Sequence, residues 1–83
     1  MPIRVKVLYF GQAREAAGMG GEDVSLPAAS SVGTLVSQSM KAHEGLQRMS
    51  SVMRIAVNEE IAGEDEGLTD GDVVAFLPPV AGG

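Results

Sequence analysis

Apolar and polar positions alternate from the start of the chain: Ile3, Val5, Val7 and Tyr9 are interleaved with Arg4, Lys6, Leu8 and Phe10. A period of two with β-branched and aromatic residues predicts a strand. Gln12 to Ala17 is rich in helix formers and is closed by Gly18, so it predicts a helix of about one and a half turns. Gly18 to Gly21 is a turn, and Glu22 to Pro27 alternates again and stops at a proline, which suits a short edge strand pairing with the first. Between Ser30 and Glu44 the apolar residues Val32, Leu35, Val36 and Met40 fall at helical spacing. Ser30 or Ser31 is placed to cap this main helix and Gly45 to end it. Gly33 inside it costs about 1 kcal/mol relative to alanine, so packing on a sheet must supply most of the stability.

Met53 to Asn58 returns to strand chemistry, and Ile61 fits a short return strand after an Asn58-Glu59-Glu60 turn. Gly63 to Gly67 is a polar loop. The turn Leu68 to Asp72 leads into Val73 to Leu77, a continuous apolar run of the kind expected for an interior strand. Pro78 and Pro79 stop it, and Val80, Ala81, Gly82 and Gly83 follow as a tail. One sheet packed on one helix buries the helix stripe most simply, with the first and last strands parallel and adjacent at the centre. The expected class is α+β, a β-grasp (ubiquitin-like) domain over residues 1–78, with an extended tail over 79–83.

Length agrees with a single domain, since 83 residues are too few for two cores. Without cysteine the chain has no disulfide and no thiolate metal site to staple it. Its net charge of −5 would repel a phosphate backbone, so nucleic-acid binding is not expected, and a partner with a basic docking surface is. No apolar run approaches the ~18 residues that span a bilayer, and no signal-peptide pattern precedes the first strand, which leads to the expectation of a cytoplasmic chain.

Catalytic equipment is scarce. The single histidine, His43, has no cysteine or second histidine to work with and is expected as a surface or helix-end residue. Met40, Met49 and Met53 fit core filling. Gly18 to Gly21 lacks the lysine and the strand-helix context of a phosphate loop. Glu64, Asp65, Glu66, Asp70 and Asp72 place five carboxylates within nine residues without the spacing of a calcium loop, so no metal site is expected. The unusual feature is the tail. Pro78 and Pro79 favour an extended exit, and Gly82 and Gly83 have no side chains. Residues 79–83 could reach roughly 15 Å, so a narrow channel in another protein could close around the backbone.

The stretch from Leu68 to Gly83, ending Pro-Pro-Val-Ala-Gly-Gly after a Gly-Asp strand start, and the segment Leu8 to Glu15 together closely resemble the small sulfur-carrier subunits of molybdopterin synthase. The element order agrees along the whole length. The resemblance implies that the Gly83 carboxylate is adenylated by a ubiquitin-activating-like enzyme and converted to a thiocarboxylate. It further implies that the tail, Pro78 to Gly83, enters the large synthase subunit and gives sulfur to cyclic pyranopterin monophosphate to form the dithiolene of molybdopterin. The implied assembly is a heterotetramer. The pterin pocket belongs to the large subunit, ATP and magnesium to the adenylating enzyme, sulfur to a donor protein, and no cofactor to this chain. Alternation leaves Phe10 on the same face as Leu8, Arg4 and Lys6, a candidate for exposure at a partner interface, and the resemblance adds Ile61 and Leu77; Phe76 is expected to point inward. Two alternatives use the same fold and tail: a protein modifier joined through Gly83 to a target lysine, and a sulfur carrier for thiamine thiazole, tRNA or cysteine synthesis.

Overall fold

A computed structural model describes residues 1–79. Strand β1 (Ile3–Tyr9) is followed by α1 (Gly11–Ala17), β2 (Gly21–Leu26), α2 (Val32–Ala42), a 3₁₀ helix (Glu44–Met49), β3 (Arg54–Val57), β4 (Glu60–Ile61) and β5 (Val73–Leu77). The five strands form one mixed sheet in the order β2-β1-β5-β3-β4. Strands β1 and β5 are parallel neighbours at its centre, and β2 pairs antiparallel with β1 as the edge.

Alternation along β1 decides the layers. Val5, Val7 and Tyr9 turn toward the helices and are buried, together with Val74 and Phe76 of β5 and Ile55 of β3. Val32 and Leu35 of α2, Leu46 of the 3₁₀ helix and Ala13 and Ala17 of α1 meet them from the other side. Met40, Met49 and Met53 are half-buried against this core, as expected of unbranched side chains that fill irregular gaps.

Local chemistry sets the element ends. Ser31, not Ser30, caps α2: its Oγ accepts from the Thr34 N–H at 3.3 Å, whereas the Ser30 hydroxyl donates to the Pro27 carbonyl at 2.6 Å. Gly18 ends α1 in the left-handed conformation, φ 75°, and its N–H reaches the Arg14 carbonyl. Gly45 does not end α2. The helix stops at His43, and Gly45 lies inside the 3₁₀ helix, where a β-carbon would sit 3.1 Å from Ala16 Cβ and 3.2 Å from its carbonyl oxygen. The glycine is a point of close approach between the 3₁₀ helix and α1.

The β3–β4 hairpin turns on two residues, Asn58 and Glu59, both with positive φ (51° and 73°), as its two-residue loop requires. The strand therefore resumes at Glu60, one residue earlier than the sequence pattern suggests. Asn58 ties this turn to the start of β5: its side chain donates to Asp72 Oδ1 at 2.9 Å and accepts from the Val73 N–H at 3.0 Å. Asp72 also accepts from the Thr69 N–H and hydroxyl, and Asp70 accepts from the Arg4 N–H at 2.8 Å. One tight turn thus fixes the first residues of β5 against both β1 and the hairpin. The Thr69 N–H, and after it the Asn58 side chain, hold the Asp72 carboxyl below its usual range.

Candidate functional site: the outer sheet face and the root of the tail

The sheet face away from the helices is uncovered, and strand register shows what it presents. Leu8, Ala75, Ala56 and Ile61 lie side by side across β1, β5, β3 and β4. In the next row toward the tail, Leu77 pairs with Arg54, and Phe10 continues β1 beside it, its N–H donating to the Phe76 carbonyl at 3.3 Å. Leu8, Phe10, Ala56, Ile61, Val73, Ala75 and Leu77 line one shallow, mainly apolar depression, with Asn58 and Glu59 of the hairpin turn at its rim and Arg54 outside it. Phe10 is 46% exposed and Ile61 59%, while Leu8 and Leu77 are half-buried between them. Phe10 stays outside because it is the N-cap of α1: the chain turns there, and its carbonyl takes the first helical N–H groups, from Ala13 and Arg14.

Phe10, the candidate from alternation, and Ile61 and Leu77, the candidates from the resemblance, therefore share one surface. Alternation reveals Phe10, but the depression also includes Leu8, Ala56, Val73 and Ala75, which become neighbours only once the order of four strands is known. Phe76 is fully buried on the opposite face.

The tail starts at the edge of this surface. Leu77 ends β5, Pro78 is half-buried with its Cγ 3.5 Å from where a Gly11 β-carbon would be, and Pro79 is exposed. Gly82, Gly83, Val80 and Ala81 lie outside the described residues. A chain leaving β5 thus begins from a strand bonded on both sides and a proline braced against the β1–α1 corner.

On the helix side His43 stands at the end of α2, one of the two places expected for it, but in a polar cluster and not on the open surface. His43 is largely buried, its Nε2 2.7 Å from Glu22 Oε2, and the same oxygen accepts from the Tyr9 hydroxyl at 2.7 Å. The Tyr9 ring meets His43 and Phe76 edge-on at 5.6 and 5.3 Å between centroids. Burial, then the bond to Glu22, pushes the Tyr9 hydroxyl well above its ordinary pKa, and the Tyr9 hydrogen bond holds Glu22 below its own despite partial burial. This cluster joins β1, β2 and the end of α2. Its sequence signal was weak, because Glu22 and His43 are 21 residues apart. Among the described residues no group of three or more His, Cys, Asp or Glu side chains is arranged to hold a metal ion.

The ThiS family model matches residues 7–83, almost the whole chain and the entire tail. The chain belongs to the ThiS family. Over 98% of its length this ThiS-family chain is 43% identical to the molybdopterin synthase sulfur carrier subunit of Mycobacterium tuberculosis, 99% of which is covered. Among solved structures, SAMP1 from Haloferax volcanii superposes with a TM-score of 0.85 at 27% identity, covering 96% of this chain and 99% of that one. A protein–protein complex of subunits 1 and 2 of the molybdopterin-converting factor from Helicobacter pylori contains a chain that matches with a TM-score of 0.71 at 29% identity, covering 98% of this ThiS-family chain and all of that one. The fold is the ubiquitin-like β-grasp: five mixed strands with helices on one face.

Proposed function

We propose that this chain is the sulfur-carrier subunit of a molybdopterin synthase, with the Gly83 carboxylate as the atom-bearing end. The observation that carries the reading is the full-length match to the mycobacterial sulfur carrier together with a family match that runs through Gly83. Chemistry supports it. The chain has no cysteine, so it offers no thiol on which to hold sulfur, and the carboxylate is the remaining place for a covalent sulfur atom. A carboxylate oxygen is a poor leaving group. An adenylating partner of the ubiquitin-activating type uses ATP and magnesium to form the acyl-adenylate at Gly83 with loss of pyrophosphate, and hydrosulfide released by a donor protein then displaces AMP, leaving the thiocarboxylate and a proton.

The loaded tail enters the large synthase subunit, and its sulfur passes to cyclic pyranopterin monophosphate. Bare glycines at positions 82 and 83 let a channel close on the backbone. The chain supplies the docking surface and the sulfur; the large subunit supplies the pterin pocket, and the pair acts as the sulfurtransferase. Phe10, Ile61 and Leu77 dock on the large subunit, and the tail root beside them aims Gly83 into it. Exposed apolar side chains that include an aromatic anchor are what association surfaces are built from.

The test is the intact mass of the chain after incubation with the adenylating enzyme, ATP and a sulfur donor. Replacement of one Gly83 oxygen by sulfur is expected, and a chain lacking Gly83 should show none while melting at the same temperature. Conjugates to lysine without a thiocarboxylate would instead make the chain a protein modifier.

A further inference from the structure

We infer that the outer sheet face fits a partner whose apolar contact is rimmed by carboxylates, with Arg54 and Lys6 supplying the opposing charges. The inference rests on the docking reading above and adds the sign of the charge across the interface. It runs against the net charge of −5, which taken alone calls for a basic partner.

The register places the two cations on either side of the apolar row. Lys6 pairs with Val73 one row below Leu8–Ala75–Ala56–Ile61, and Arg54 pairs with Leu77 one row above it. Both are exposed, and among the described residues the only ion pair is His43 with Glu22. The Arg54 row holds Leu77 and Phe10 and no acid; Glu64, which lines a separate hollow with Arg54, makes no ion pair with it. The acids of the same face are farther from the tail or already engaged. Asp23 lies opposite Lys6 without an ion pair, and Glu59, in the hairpin turn, lines the depression on the side away from the Arg54 row. Asp70 and Asp72 accept hydrogen bonds from Arg4, Thr69 and Asn58.

Four other acids belong to the helix side. Glu22 is held by Tyr9 and His43, Glu44 opens the 3₁₀ helix, and Glu64 and Glu66 flank the start of α2, whose first N–H groups bond to their carbonyls. An α-helix with side chains is about 10 Å across, more than the Debye length of about 8 Å at physiological ionic strength. A partner approaching the sheet therefore meets the local cations, while the acids behind the helix layer are screened.

Association of the full chain with its large synthase subunit tests this, measured by stopped-flow at low and high salt. Rim charges act chiefly on the association rate, so Arg54→Glu should slow association about tenfold at low salt and much less at high salt, with Arg54→Lys close to wild type. Glu59→Asn, which removes an acid and keeps a residue tolerant of positive φ, should speed it. The alternatives give opposite signs. Arg54→Glu makes the chain more acidic, so if a basic partner reads the net charge, association becomes faster, and the inference is overturned. An unchanged rate overturns it as well. Circular dichroism establishes that Arg54→Glu is folded, and Arg54→Gln, expected to slow association less, gives the same sign if it is not. Wild-type chain that fails to bind the large subunit refutes the docking reading itself, whereas binding with a reversed or absent response to Arg54 refutes only the rim.

Discussion

Replacing Phe10 by alanine separates the surface that docks from the surface that folds. The ring is 46% exposed, and a phenylalanine side chain presents about 200 Å², so about 90 Å² is available to a partner. At about 25 cal/mol per Å² this is about 2 kcal/mol of association free energy, or roughly a 30-fold weaker Kd for the large subunit. The covered part of the ring rests on the chain's own sheet, so the monomer should also lose up to about 2 kcal/mol. Calorimetric titration at a temperature where both proteins are folded reads the first effect, and the urea midpoint of the free chain reads the second. A midpoint that falls with no change in Kd would refute the assignment, because the ring would then serve the fold alone. Ile61→Ala is the companion: 59% exposed on a two-residue strand, it should weaken binding with a smaller loss of stability.

Other consequences concern the fold. Asp72→Ala removes the acceptor of three hydrogen bonds, from the Thr69 N–H, the Thr69 hydroxyl and Asn58, and should cost about 2 kcal/mol, lowering Tm by about 10 °C. Asp72 and Glu22 both have lowered carboxyl pKa values in the fold. Their contribution is thus complete above the ordinary carboxylate value of about 4 and is lost as pH falls through the lowered ones; a Tm series from pH 7 to about 2 should fall in that acid range, less steeply for Asp72→Asn. Gly45→Val must force the 3₁₀ helix away from Ala16 and should destabilise by about 2 kcal/mol, read by thermal melting. Ala29 holds φ 66°, so Ala29→Gly should raise stability by up to about 1 kcal/mol in the same assay.

The strands were legible because alternation is a local property: β1 buries Val5, Val7 and Tyr9 as its period predicts, and β5 buries Val74 and Phe76. Residues whose roles depend on distant neighbours were not. Gly45 resembles a helix stop, since glycine after a helical run usually is one; only the approach of Ala16 reveals its actual constraint. The 3₁₀ helix escaped notice because six residues with a period near three give little pattern. The helix-end place of His43 was legible, but its burial was not, because its partner Glu22 comes from the edge strand. At the candidate site, Phe10 was visible in one strand's alternation, whereas Ala56 and Ala75 join the depression only through the sheet order.

The placement of β5 also has a mechanical side. Its hydrogen bonds run on both flanks, parallel to β1 and antiparallel to β3, and Lys6 and Asn58 add bonds to the backbone where it begins. A pull applied at Leu77 along β5 loads these bonds together in shear instead of opening them one at a time from an end. Under the proposed function, a load met on leaving a partner's channel would fall on the two central ladders at once, not on a single strand end.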